Sequence, residues 1–419
     1  MNAKIRENIQ KPEELEQLFR EDKNLFASGF EEIYPEIENK ALADFWRIRL
    51  AYDKAGSVIK SFRRADLLVM IFSCLSVSVL IKLPEFLNTY SNDFDYYQRN
   101  AGIIVFFGLS LFAVISVGIF SAKKIAFIVA AFLVPAIFIN LLPSHPERQS
   151  LNLAFIHLPL FMWCLYGMVF TGINFKDKQK RIDYIKYNGD LAIIAALILI
   201  AGGILAGITI GLFSAIDINI EVLYMEYVAV CGLVSAPIVA TFIIQNYPTF
   251  TNKIAPIIAN IFSPLVLITL LIYLVTIPVS GKSPFNNRDI LIIFNLMLLG
   301  VMGIIVFSIS ETSINKKQRF NEMILFSLSM VSLIIDLIAL AAIFYRISEY
   351  GITPNRLAVL GSNLLIFGNL LLIMIDLYKI NFRKADIRAV ELTISRYLTL
   401  YVVYTLIIVF GFPFIFNFK

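Results

Sequence analysis

The chain reads as an all-α protein, a polytopic transmembrane helical bundle of about eleven spans preceded by a small helical segment. Three observations lead there. Of 419 residues, 58% are hydrophobic and 16% charged, with 36 Phe, whereas a soluble domain is about 45–50% apolar and about 25% charged. Apolar runs of about 20 residues recur along most of the length, each long enough for a helix to cross about 30 Å of hydrocarbon. Lys and Arg gather in alternate connections between those runs, the charge pattern of a chain threaded repeatedly through a membrane.

Residues 1–65 come first, and they alone have a soluble composition. In KPEELEQLFREDKNLFASGFEEIYPEIENKALADFWRIRLAYDK, Pro12 suits a first helical turn and Glu13 and Glu14 favour its dipole. Leu15, Leu18, Phe19, Phe26 and Phe30 recur at helical spacing, while Leu42, Phe45, Trp46 and Leu50 form a second apolar set. Two readings stay open: a helical cap on the inner membrane surface, or a docking segment for a cytoplasmic protein partner.

Residues 66–419 form the transmembrane domain. Spans are expected at 66–83, 101–120, 125–143, 152–172, 190–213, 222–245, 255–278, 289–309, 322–344, 357–378 and 397–416. The first is the shortest and reads as an anchor, because a signal peptide would not follow so long a polar segment. Basic connections hold Lys60, Arg63 and Arg64; Lys123 and Lys124; Lys176, Lys178, Lys180, Arg181 and Lys186; Lys316, Lys317 and Arg319; and Lys379, Arg383, Lys384 and Arg388. The intervening loops carry Arg148, or Lys282 with Arg288. This asymmetry predicts a cytoplasmic N-terminus and, after an odd number of spans, an outer C-terminus in a bacterial inner membrane. The net charge of +5 is then membrane-facing and implies a lipid bilayer as partner and no nucleic acid. Oligomeric state leaves no signature.

Within the spans, polar residues carry the information, because an ionisable group in hydrocarbon is costly and usually faces a partner or water. Asp336 lies about 12 Å inside its expected span, and Ser329 and Ser332 share its face. In the next span Ser362, Asn369 and Asp376 recur every seven residues. Antiparallel neighbours would set Asn363 and Asn369 on either side of Asp336, within hydrogen-bonding reach. The candidate buried site is therefore Asp336, Ser332, Asn363 and Asn369, read either as a carboxylic acid locking two helices in register or as a proton- or ion-coupling group. Asp190 is expected to cap the fifth span, and Asp376 to meet Lys379 at the inner boundary.

Between the ninth and tenth spans lies YRISEYGITPNRLAVLGSN. Gly351 suits a left-handed helix terminus, and Thr353-Pro354 an N-cap with a first-turn proline. A turn does not require Arg346, Glu349 and Arg356, which are expected to form a charged cluster at the outer mouth. In the fifth span Gly203, Gly207 and Gly211 make a small-residue ladder, expected to pack inside the bundle.

Two histidines and three isolated cysteines, with no phosphate-binding loop and no hydrolase or metalloprotease motif, predict no cofactor, no metal site and no catalytic residue. Three function classes remain: transport or transport accessory, a membrane sensor or assembly scaffold, and, with the least support, an intramembrane enzyme acting on a lipid-linked substrate.

RISEYGITPNRLAVLGSN, SPLVLITLLIYLVTI, NGDLAIIAALILIAGGILAGITIGLF and the leading PEELEQLFREDKNLFASGFEEIYPEIENKALADFWRIRL together resemble the bacterial membrane-protein family known as domain of unknown function 4153. Tyr350-Gly351, Thr353 and Arg356 are the most specific part of the likeness. The resemblance implies a polytopic inner-membrane protein and brings no activity, substrate or catalytic residue with it.

Overall fold

The computed structural model describes residues 2–9, 11–21, 23–37, 43–50, 64–87, 93–119, 121–143, 148–174, 177–214, 218–247, 261–275, 285, 288–311, 319–383 and 385–418. Lys60, Arg63, Lys176, Lys282, Lys316, Lys317 and Lys384 of the basic and intervening loops, with both ends of the expected 255–278 span, lie outside the described residues. The chain divides into two compact units, Met1–Arg63 and Arg64–Lys419.

The first unit holds α1 (Asn2–Glu7), α2 (Pro12–Glu21), α3 (Lys23–Ile33) and α4 (43–50). Its apolar residues close on one another: Leu15, Phe19, Phe26, Phe30 and Trp46 are buried together, with Phe26 and Trp46 ring centroids 5.1 Å apart. The Arg49 guanidinium lies 4.7 Å above the Trp46 ring and pairs with Glu16 at 2.6 Å. The residues that recur at helical spacing thus form a core of their own. Phe45 is 55% exposed while Trp46 turns inward, as consecutive residues about 100° apart on a helix must diverge.

The regular elements of the second unit are all helices among its described residues. Its elements are α5 (Arg64–Ile81), α6 (Leu83–Leu87), α7 (Asp93–Val117), α8 (Ala122–Leu141), α9 (Gln149–Phe170) and α10 (Lys178–Ser214). They are followed by α11 (Glu221–Asn246), α12 (Ile261–Val275), α13 (Arg288–Glu311), α14 (Arg319–Tyr350), α15 (Pro354–Arg383) and α16 (Arg388–Ile415). Among the described residues 8 helices, α7 to α11 and α14 to α16, are long and apolar enough to cross a membrane, and α5, α12 and α13 supply shorter apolar stretches. The protein is a multi-pass integral membrane protein whose helices contact the lipid bilayer. Only intrahelical hydrogen bonding satisfies so much backbone in hydrocarbon, which is why no strand occurs among the described residues.

Several helices outrun the apolar segments that announce them. α10 begins at Lys178 rather than 190 and spans 37 residues, or about 55 Å; α16 begins at Arg388 rather than 397. Backbone bonding continues past the hydrocarbon boundary wherever no breaker intervenes, so hydropathy marks the membrane crossing and not the helix end. Asp190, expected as an N-cap, consequently sits in mid-helix and is buried.

Among the described residues several apolar groups make the interior, and two are the largest. Helices α5, α7, α9, α10 and α11 surround Val77, Leu109, Phe112, Tyr166 and Ile238. Helices α13, α14, α15 and the start of α16 surround Phe294, Leu328, Ile335, Leu370 and Ile373. Near Pro237 in α11 a satisfied polar chain runs from Tyr166 to Tyr187 (2.9 Å), then to Thr241 (2.6 Å), whose hydroxyl donates to the Pro237 carbonyl. Its groups answer one another, so it serves packing. Two π-helical turns interrupt the regular ladder, Tyr224–Ala229 in α11 and Ile407–Gly411 in α16.

Candidate functional site

The antiparallel α14–α15 hairpin builds the candidate site. Gly351 ends α14 with φ of 76°, and the Thr353 hydroxyl accepts the Arg356 amide at 3.3 Å ahead of Pro354. Turn chemistry anticipated from the sequence is therefore what joins the helices. Arg356 has a structural task here: its guanidinium donates to the Tyr350 and Gly351 carbonyls, both at 2.7 Å, satisfying the carbonyl end of α14. Arg356 and Arg346 also approach the Tyr350 ring, at 5.4 and 6.0 Å from its centroid. The expected ion-pair cluster does not form, because among the described residues no salt bridge joins Glu349 to either arginine. The carbonyl terminus and the aromatic face hold the two guanidinium groups instead.

Deeper in the hairpin, Asp336 is 0% exposed, as are Ser332 and Asn363, and Asn369 is 2% exposed. Asp336 faces protein. Helix α14 continues to Tyr350, so Asp336 lies about 21 Å from its end; Asn369 lies about 22 Å from the start of α15 and Asn363 about 14 Å. Asp336 thus falls between the two asparagines in depth, nearly level with Asn369.

The hydrogen bonds expected between Asp336 and these amides are not made. Asn363 donates to the Asn295 side chain of α13 at 2.9 Å, and Asn369 donates to the Tyr401 hydroxyl of α16 at 3.1 Å. Ser329 and Ser332 bond back to the Leu325 and Leu328 carbonyls at 2.8 and 2.7 Å, so neither offers a proton to the carboxyl. Both Asp336 oxygens, and the side-chain oxygens of Asn363 and Asn369, are buried with no hydrogen-bond partner among the described residues. A glycine beside Asn369 makes room for this layer: a Cβ at Gly368 would meet the Tyr397 hydroxyl, and one at Gly361 would come within 2.9 Å of Tyr404.

Sequence reasoning missed Asn295 and Tyr401. Asn295, alone in LIIFNLMLLG, was a visible signal, whereas Tyr401 in YLTLYVVYTL is one of several tyrosines with nothing to rank it. Asp376 does meet Lys379 at 2.9 Å and accepts from Thr393 at 2.6 Å. A separate cleft of about 470 Å³ between α5, α6, α7 and α8 is lined by Leu83, Tyr96, Asn100, Phe107, Leu133 and Asn140, and does not include Asp336. Beside it Arg99, buried, donates to the Ile139 and Leu142 carbonyls at the end of α8.

The arrangement holds an acceptor-rich, donor-poor layer across α14, α15 and α16, with one ionisable group at its centre. A carboxyl so placed takes up a positive charge, a proton or a cation, or stays costly. In comparisons with known proteins, no family profile, no curated protein and no solved structure matches this chain.

Proposed function

We propose that the protein moves a solute across the membrane, or assists a carrier that does, with Asp336 as the proton- or ion-accepting group. One observation carries this reading: a fully buried carboxyl deep in a membrane helix, facing protein, without a hydrogen-bond partner among the described residues. A purely structural carboxylate would be expected to accept a hydrogen bond from one of the neighbouring amide nitrogens. Here the amides are engaged elsewhere, which supports a group kept for something that comes and goes.

Access to water tests the reading. Cys74, Cys164 and Cys231 would be replaced by serine or alanine, Asp336→Cys introduced, and the protein reacted in membranes with a membrane-impermeant, charged thiol reagent. Labelling from one side or the other is expected, with Leu337→Cys, 52% exposed on the outer surface of the bundle, staying unlabelled. An Asp336→Cys protein inert from both sides, beside a loop cysteine that reacts, would overturn the proposal.

A scaffold or sensor role draws on a different observation, the first unit's self-contained core, which leaves Leu25, Phe45 and Ile48 exposed at 52%, 55% and 58% for a partner. On either reading we place the chain in a bacterial inner membrane with about eleven spans, counting α5, α12 and α13 with the longer helices, and with a cytoplasmic N-terminus and an outer C-terminus. We also propose membership of the family known as domain of unknown function 4153, supported by the likeness of the Tyr350–Arg356 stretch and contributing no activity.

A further inference from the structure

We infer that Asp336, Asn369 and Tyr401 form a binding site for one dehydrated alkali-metal cation. The inference rests on the reading of Asp336 as a coupling group and names what it couples to. It starts from hydrogen-bond direction. The Asn369 amide nitrogen is committed to the Tyr401 hydroxyl at 3.1 Å, which turns the amide and leaves its oxygen unpartnered and buried. Both oxygens of Asp336 are in the same condition, and the two residues are nearly level on adjacent antiparallel helices. Tyr401 joins the set through Asn369, and as an acceptor from that amide its oxygen is oriented by the same bond. Together they present carboxylate, amide and phenol oxygens, the first two without a hydrogen-bond partner among the described residues.

A single proton satisfies one of these acceptors, or two if shared. A cation satisfies all of them at once, because oxygen dipoles and a carboxylate can replace a hydration shell. Charge sets its valence. Once Asp336 is ionised the layer holds one negative charge, so a monovalent ion leaves the interior neutral, whereas a divalent ion would leave a net positive charge in hydrocarbon at high cost. Donor type sets its class, since an all-oxygen set with a single carboxylate suits a hard cation, and no three His, Cys, Asp or Glu gather among the described residues as a transition metal would want. Depth agrees with function: ion sites in carriers lie near the membrane midplane, and Asp336 is about 21 Å along α14 from its outer end.

The test uses the full-length protein purified in detergent. Its melting temperature is measured as choline chloride is exchanged for NaCl or KCl at constant ionic strength, and bound ²²Na⁺ is counted by scintillation proximity. A ligand that binds only the folded state raises the melting temperature with the logarithm of its concentration. That rise is expected for the wild type with one alkali ion favoured over the other. It should vanish in Asp336→Asn and shift to about tenfold higher salt in Tyr401→Phe and Asn369→Ala, each of which removes one oxygen ligand. Should Asp336→Asn fail to fold, the other two variants and the wild-type counts decide. Equal melting in all three salts, or an unchanged rise in the variants, would overturn the cation site. If the Asp336→Cys protein is nevertheless labelled from water, the coupling reading survives with a proton in place of the cation; if that protein is inert as well, both readings fall.

Discussion

At the residue scale the hairpin between α14 and α15 shows which polar groups are structural. Arg356 bonds two carbonyls at the end of α14, so Arg356→Ala should lower stability by about 1 kcal/mol, read as a lower melting temperature in detergent, with Arg356→Lys in between because ammonium lacks the planar fork. Gly351 has φ of 76° and open space around a built Cβ. Gly351→Ala should therefore cost about 1–2 kcal/mol through backbone conformation alone, and Gly351→Asn less; equal melting of Ala, Asn and wild type would contradict the turn. The Gly351 turn was legible in the sequence, since turn rules are local, whereas the bonds of Arg356 to the end of α14 were not, because the turn itself does not require an arginine. The partners of Arg346 and Glu349 were not, because pairing depends on what else a guanidinium can reach.

At the scale of elements, two glycine environments on α10 separate packing from exposure. The ladder Gly203, Gly207 and Gly211 does not pack inside the bundle as expected: a Cβ at any of the three meets nothing within 4 Å. Gly189, lower on the same helix, lies so close that a Cβ would strike the Phe307 ring of α13. Gly207→Ala should leave melting unchanged or raise it, because alanine favours helix by about 1 kcal/mol. Gly189→Ala should lower stability by about 1–3 kcal/mol through overpacking. The reverse order of melting temperatures would show that α10 is rotated relative to this description. Spacing announces small-residue ladders, but which side of a helix meets the bundle is set by the neighbours it packs on.

For the whole molecule, the proposed threading has a direct check. Alkaline phosphatase, active only outside the cytoplasm, fused after Asn174 should be inactive and fused after Lys419 active. The prediction rests on the basic connections and on an odd number of spans. Activity in both fusions, or in neither, would mean that one of the shorter helices between the two fusion points, α12 or α13, does not cross.

Composition and hydropathy by themselves determined the membrane class and the all-helical architecture, because each residue's transfer free energy is its own property and hydrocarbon leaves the backbone few options. They also determined the Gly351 and Thr353-Pro354 turn, which involves only chain neighbours, and they drew attention to Asp336, since a charge in an apolar run is costly whatever surrounds it. Only the tertiary structure decided that Asn363 and Asn369 turn to Asn295 and Tyr401 instead of Asp336. It alone also placed the α10 glycines on an open face. These are relations between residues on different helices. They depend on rotation and register about each axis, where helix ends and packing neighbours choose among several faces that a linear pattern of polarity leaves equivalent.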